Sequence, residues 1–330
     1  MFRFYLYTLN NVPRGTYFLT IQECSTWNIK RMKIFITGAT GKVGEAITKF
    51  LSKETDWDLV LQTTSGETIR IYNNRTKVAK FDLAEKKLLK KIILDEKPDV
   101  IINTAAMTNV DLCEDEKKIA SEINTKVVES LVGIANKINA KLITFSTDYI
   151  FNGEKGPYSE YDLPDPISYY GKTKLAADNF VIGNLVNYAI IRTNVVYGIS
   201  SYGKNDFVRW VLESLLEKKE IKIINGQYCN PTFADDIAYG VFKIIERNLR
   251  GIYNIAGKDY LNRYEIACTI ADTLNLNKNL ITEVPYESLV QKAKRPHRGG
   301  LIILKAESEF GFTFSTLSAG ILSLKLQMKT

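Results

Sequence analysis

The chain has 330 residues, 45% of them hydrophobic, and a net charge of +7 with histidine neutral. That is enough for one large or two ordinary domains with a full core, and no apolar stretch reaches the ~18 residues that a membrane span needs. The four cysteines, Cys24, Cys113, Cys229 and Cys268, are scattered without a C-x-x-C pair; they indicate neither a disulfide framework nor a zinc site, and the expected compartment is a reducing cytoplasm.

Residues 1–31 are unlike the rest. They hold no long apolar core and no small-residue cleavage site, so they make a poor signal peptide and are expected to lie outside the fold. From Met32 the pattern alternates. Strands are predicted near 33–37, 58–63, 77–80, 99–103, 141–146 and 187–192. Helices are predicted near 42–53, 84–94, 115–138 and 168–184. Strands separated by helical stretches mean right-handed βαβ units and a doubly wound parallel sheet of the Rossmann kind, expected over 32–192. Beyond 193 the regularity breaks. A helix is predicted at 205–219, a strand at 221–224, a loop at Cys229-Asn-Pro-Thr232, a helix at 234–247 and a strand at 252–255. This reads as a smaller substrate lobe, 193–330, with segments returning to the first domain.

The run from Met32 to Gly44 is an apolar strand entering glycines at 38, 41 and 44. Gly38 permits a tight turn, Gly41 lets backbone approach a pyrophosphate, and Gly44 lets the following helix pack close to the strand. The amides at the start of that helix attract phosphate. In such a sheet, ligands bind outside the carboxyl ends of the strands. The glycine turn, the Asn103–Asp111 stretch and Ser146-Thr147-Asp148 all follow or end a predicted strand, so one crevice should receive all three.

The charge balance sits on lysine-rich helix faces such as Glu85–Lys91. These read as solvated surface, with no nucleic-acid and no membrane partner expected; a mild positive field also suits an anionic substrate. A single histidine, His297, lies in a loop-like stretch, Lys294–Gly300, and reads as a surface residue. Proton transfer therefore falls to tyrosine, lysine or carboxylates. Tyr170 and Lys174 are four apart on a predicted helix and share a face. An ammonium beside a tyrosine favours the phenolate and is expected to lower its pKa toward the working range. Tyr239 and Lys243 have the same spacing but no strand-end partner, and Tyr239 reads as packing. Tyr170 follows Thr147 by 23 residues, behind the turn Leu163-Pro-Asp-Pro166. Thr147 would hold a substrate carbonyl oxygen while hydride reaches the carbon and Tyr170 protonates the oxygen.

With these residues the chain resembles the extended short-chain dehydrogenase/reductases, and more closely the dTDP-4-dehydrorhamnose reductases. The resemblance covers nearly all of 32–325. It is carried by Asp99–Asp111, Ser146–Gly153, Pro166–Lys174, Arg192-Thr193, Asn225-Gly-Gln227, Asn230-Pro-Thr232, and Arg295-Pro296 with Leu301 and Lys305. It implies reduction of a nucleotide-linked 4-keto sugar, dTDP-4-dehydro-L-rhamnose first among them. Gly38, Thr40, Gly41, Lys42, Val43 and Gly44 would hold the pyrophosphate, and Thr64 and Ser65 the ribose end. Asp82 and Leu83 would flank the adenine, Asp82 also being a candidate helix N-cap. Ala105, Ala106 and Thr108 would line the nicotinamide side, with Thr108 also facing substrate. Thr147, Tyr170 and Lys174 would do the chemistry, and Asp148 and Asn194 would meet the sugar. The family carries a tryptophan after Arg-Thr-Ser, where this chain reads Arg192-Thr-Asn-Val195, which leaves the sugar open. Some relatives are non-catalytic regulatory subunits of methionine adenosyltransferase; the intact Tyr170 and Lys174 argue against that role. Dehydratases carry an acid where this chain has Tyr149. A reductase or epimerase of another nucleotide sugar is the remaining alternative.

The second strand ends Leu61-Gln-Thr-Thr-Ser-Gly66 with no acid at its tip. An acid there accepts from the ribose 2′-hydroxyl of NAD. NADPH is therefore expected over NADH, with Lys42, Arg70 or Arg75 adding positive charge and Glu67 arguing the other way. A Mg²⁺ requirement is left open, and a homodimer is the expected assembly.

Overall fold

The computed structural model describes residues 31–64, 69–202, 206–288 and 291–328. The expectation that residues 1–31 stand outside the fold falls, apart from Arg31, outside these residues. Arg31 itself pairs with Asp58 at 2.7 Å.

The first strand, β1 (Lys33–Thr37), alternates its apolar side chains between two faces. Helix α1 (Lys42–Glu54) follows, then β2 (Asp58–Thr63), β3 (Thr76–Lys80), α2 (Lys86–Glu96) and β4 (Val100–Asn103). Three short helical pieces come next: α3 (Val110–Asp115), α4 (Lys117–Ser121) and, beyond a π turn, α5 (Val127–Ile138). Strand β5 (Lys141–Thr147), α6 (Tyr169–Asn184) and β6 (Tyr188–Thr193) complete the alternation. After them run β7 (Val196–Tyr197), α7 (Phe207–Leu216), β8 (Ile221–Asn225), β9 (Thr232–Phe233), α8 (Ala234–Glu246) and β10 (Gly251–Asn254). The chain ends with α9 (Arg263–Leu274), β11 (Ile281–Pro285), α10 (Leu304–Phe310) and α11 (Leu317–Gln327).

Seven strands form one parallel sheet in the order β10-β6-β5-β4-β1-β2-β3. This is the doubly wound Rossmann-like architecture that the sequence predicts, and the late strand β10 returns to it at the edge beside β6. Ile34, Ile36, Leu59 and Leu61 pack on one face with Ile47 and Leu51 of α1 and Ile237, Val241 and Ile244 of α8. Phe35, Val60, Ile101 and Leu142 pack on the other with Leu89, Leu131 and Val181. A separate core gathers Val208, Val211, Leu212, Ile223, Ile266, Ile270, Leu317 and Ile321 around the pair β8 and β11.

The predicted helix at 115–138 is the main departure. It starts earlier and is broken, with residues Glu122–Lys126 in a π turn. The extra residue per turn releases Asn124, whose side chain accepts from Met107 N at 2.8 Å and donates to the Thr173 hydroxyl at 3.1 Å. Apolar periodicity carries no signal for that exchange.

Asp236 in the first turn of α8 is 7% exposed and accepts from Ser315 N and Oγ. Burial pushes its pKa from 3.8 up to about 6, with Asp235 adding to the rise. The folded state therefore holds this proton more tightly than the unfolded chain, and the carboxyl's contribution to stability falls as pH rises from about 4 to about 6. Asp236→Asn is expected to raise stability at pH 7 by up to about 3 kcal/mol. Its advantage over wild type should vanish below about pH 4. Urea denaturation at the two pH values checks this; an equal difference at both would contradict it.

Candidate active site

The glycine turn is built against the neighbouring strands. Gly38 has φ +63°, and a Cβ there would meet Ala105 backbone at 2.9 Å. Gly41 N donates to Gly38 O at 2.9 Å and Gly38 N donates to the buried Gln62 side chain at 3.0 Å. A Cβ on Gly44 would run into Gly38 O and Ala39. The backbone cradle is therefore filled by nothing larger than glycine, and the start of α1 faces outward with Gly41 exposed. These features fit a dinucleotide pyrophosphate held by backbone amides. Val43 packs on the first core, and Thr40 Oγ1 lies 3.3 Å from Thr63 Oγ1.

The Lys42 side chain behaves otherwise than the sequence suggests. Its ammonium pairs with Asp206 at 2.9 Å and donates to Gly198 O at 3.1 Å. It is committed to the segment after β7, leaving its backbone amide as the group at the helix start. Asp82 is not a helix N-cap, because α2 starts at Lys86 with Glu85 as cap. Exposed Asp82 instead accepts from Ala84 N at 2.9 Å in a turn before the helix, and Leu83 is buried in the second core. Arg75 precedes β3 and pairs with Asp56, which places it at the amino ends of the strands, away from the crevice. Arg70 lies 6.0 Å over the Tyr72 ring. Thr64 is exposed just beyond β2, while Ser65 and Glu67 lie outside the described residues. Ala105 and Ala106 follow β4 and are half-buried, and Thr108 is exposed.

Thr147 ends β5, and Tyr170 and Lys174 lie one turn apart in the first half of α6; the three are 6%, 9% and 3% exposed. Ser168 caps α6 by accepting from Gly171 N at 3.2 Å, which sets the helix start one residue before Tyr170. A Cβ on Gly171 would overlap the Tyr149 carbonyl, so this glycine lets α6 approach the strand end. The Thr147 hydroxyl favours the anion of the Tyr170 phenol, yet the phenol's pKa is raised. Burial is the first cause, with the Asp148 carboxylate, Tyr149 and Cys113 adding to it. The sequence-based expectation that Lys174 lowers this pKa is corrected. In the dry interior Lys174 is itself pushed toward its neutral form by desolvation, countered by Asp178. Tyr170 consequently keeps its proton at neutral pH, the state a general acid needs.

Asp148 is 2% exposed. Its carboxylate accepts from Gly300 N and Asn194 Nδ2, both at 3.0 Å, and from the Thr147 hydroxyl at 3.3 Å. Burial raises its pKa against those donors. Asn194 also lies 3.4 Å from the Thr232 hydroxyl. Asp148 and Asn194 thus brace the ends of β5 and β6 against the C-terminal loop. Val195 next to them has φ +39°, a left-handed conformation rare for a β-branched residue. Arg295 pairs with Asp111 at 2.7 Å, joining the family-like C-terminal motif to the loop after β4. His297 is exposed, and Tyr239 packs among Phe50, Phe242 and Phe312, as expected for both.

Sequence reasoning misses two groups. Asn124 braces Met107 and Thr173; it is a polar residue inside an apolar helical run, which is the available signal. Asp178, one turn beyond Lys174, accepts from Ser146 Oγ at 2.5 Å, and burial pushes its pKa up to about 6. It is the anion nearest both Lys174 and Arg192 in effect, since it favours the charged form of each. Among the described residues no cluster of three or more His, Cys, Asp or Glu is placed to hold a metal, and no helix is long and apolar enough to cross a membrane.

The family profile "RmlD substrate binding domain" matches residues 32–325. The chain is 30% identical over 287 residues to methionine adenosyltransferase 2 subunit beta of Bos taurus, covering 85% of this chain and 83% of that one. It is 30% identical over 294 residues to dTDP-4-dehydrorhamnose reductase of Aggregatibacter actinomycetemcomitans, covering 84% and 93%. Among solved structures it resembles dTDP-4-dehydrorhamnose reductase of Bacillus anthracis in complex with NADP, with TM-score 0.79, 26% identity, and 90% and 99% of the two chains covered. A hypothetical dTDP-4-dehydrorhamnose reductase from Sulfolobus tokodaii gives TM-score 0.76, 33% identity and coverage of 88% and 99%. A glycine cradle, a strand-end threonine and a tyrosine-lysine helix on this sheet, matched over the whole of 32–325, place the chain in the RmlD substrate-binding-domain family of extended short-chain dehydrogenase/reductases.

Proposed function

We propose that the protein reduces a nucleotide-linked 4-keto sugar with a nicotinamide dinucleotide, most specifically dTDP-4-dehydro-L-rhamnose to dTDP-L-rhamnose with NADPH. The observation that carries this is the placement of buried Tyr170 at the carboxyl end of β5, where Thr147 acts on its phenol, with Lys174 one helical turn on along α6. A bound dinucleotide supplies hydride to the carbonyl carbon. Thr147 orients the carbonyl oxygen, and Tyr170, kept protonated by burial, gives its proton to that oxygen as the C–H bond forms. Lys174, 3% exposed and with no ion pair among the described residues, is suited to donate to ribose hydroxyls of the dinucleotide. Residues at Gly38–Gly44 hold the pyrophosphate through backbone amides.

A second reading has its own support: 30% identity to methionine adenosyltransferase 2 subunit beta over 85% of the chain. In that reading the protein binds dinucleotide as a subunit without turnover. Following NADPH oxidation after addition of dTDP-4-dehydro-L-rhamnose separates the two. Turnover supports the reductase. Tight dinucleotide binding with no oxidation by any 4-keto nucleotide sugar overturns it in favour of the subunit.

The cofactor preference follows from electrostatics. Exposed Thr64 follows β2 where NAD-selective folds place a carboxylate, and such an acid would repel a 2′-phosphate. We expect kcat/KM for NADPH to exceed that for NADH by at least ~10-fold, about 1.4 kcal/mol. A preference for NADH would overturn this part of the reading.

A further inference from the structure

Arg263 is the first residue of α9, and its backbone is fixed on both sides. Asn262 caps the helix in a capping box with Glu265, and Arg263 N donates to Gly226 O at 3.1 Å. Its guanidinium lies 4.6 Å over the Phe207 ring at the start of α7. The charge has no ion-pair partner among the described residues, and Nη1 is buried without a hydrogen-bond partner. Arg209, by contrast, pairs with Glu213, and Arg295 pairs with Asp111. A buried, unpaired donor on a guanidinium is destabilising, so it marks a place where an acceptor is wanted.

The direction of that acceptor is legible from the neighbours. The positive charge of Arg263 acts on Asp148, Tyr149 and Cys229. Tyr149 stands edge-on to Tyr170, with ring centres 6.0 Å apart. The start of α9 is tied to the strand-end site through the loops: Asn262 lies 3.5 Å from the Tyr228 hydroxyl, Tyr228 N donates to His297 O, and Gly300 N three residues on donates to Asp148 at 3.0 Å. Neither Asp148 nor Tyr149 is hydrogen-bonded to Nη1: Asp148 accepts from Gly300, Asn194 and Thr147, and Nη1 has no partner. A guanidinium stacked on an aromatic ring, with its fork unpaired, is suited to a phosphate oxygen.

We infer that Arg263 binds the diphosphate of the nucleotide-linked substrate, held in place by Phe207, and so sets substrate affinity rather than the chemical step. This rests on the nucleotide-sugar reading above.

Titration calorimetry of the full chain loaded with NADPH tests it, using dTDP, UDP, GDP, CDP, ADP and thymidine as probes. With the tightest diphosphate, Arg263→Met should weaken binding about 10–100-fold, the range of a lost charge-assisted hydrogen bond. Thymidine and NADPH affinities should stay within ~3-fold of wild type. Arg263→Lys should recover part of the loss, which a purely structural role would not predict. With keto-sugar substrate, KM should rise while kcat changes by less than ~3-fold. If wild type binds a diphosphate and Arg263→Met binds it equally, this inference fails and the nucleotide-sugar reading stands. If wild type binds none of the diphosphates, both fall.

Discussion

Replacing Tyr170 by phenylalanine is expected to lower turnover at least ~100-fold, about 2.7 kcal/mol on the barrier, with dinucleotide affinity nearly unchanged. Burial keeps the Tyr170 phenol protonated, and Thr147 acts on it at the end of β5. Removing it takes away the proton that the nascent alkoxide needs, and leaves Thr147 to hold an oxygen it cannot neutralise. The ring itself remains, packed with Cys113 and Ala120 and edge-on to Tyr149, so the fold should be preserved. Tyr239→Phe is the matched control. Its ring sits among Phe50, Phe242 and Phe312 on the far side of the sheet, and turnover should be unchanged. Steady-state rates at saturating cofactor decide the matter. Wild-type activity in Tyr170→Phe would end the proposed mechanism.

The burial of Tyr170 near the strand end was legible because its position was constrained from two directions. The strand-end Thr147 and the turn at Leu163–Pro166 leave the following helix little freedom, and a tyrosine-lysine pair on its buried face has few uses. Its electrostatics were not legible. Proximity in sequence suggests that Lys174 dominates Tyr170, whereas desolvation dominates both groups. Burial depends on everything packed around a site, including Tyr149 and the C-terminal loop, and no short motif encodes it. The same reason explains Lys42. Its place in the glycine turn is readable, but its ion pair with Asp206 joins residues 164 positions apart. The sheet was legible through its buried runs, since each strand is a short apolar segment between turns. The break at Glu122–Lys126 was not, because a π turn there serves Asn124 and a loop before it.

Gly44→Ala is expected to give the second large effect, on binding and stability together. The new Cβ would strike the Gly38 carbonyl oxygen and come within 2.9 Å of both Ala39 Cα and Thr104 Oγ1. None of these can move aside cheaply. Gly38 is held by Gln62 at 3.0 Å and by Gly41 at 2.9 Å, and the Thr104 hydroxyl donates to Thr37 O at 2.6 Å. The helix start must therefore shift away from β1, carrying with it the amides that face the pyrophosphate. Overpacking of this kind costs about 1–3 kcal/mol, and dinucleotide affinity should fall at least ~10-fold as the cradle opens. Gly133 and Gly183 provide the contrast. Both lie in helices, in α5 and α6, and a Cβ on either meets nothing within 4 Å. Alanine there should stabilise by up to about 1 kcal/mol through helix propensity alone, without touching cofactor binding. Thermal denaturation and NADPH titration of the three variants check the pattern. If Gly44→Ala binds dinucleotide like wild type, the glycine turn is a packing feature and the cofactor is held elsewhere.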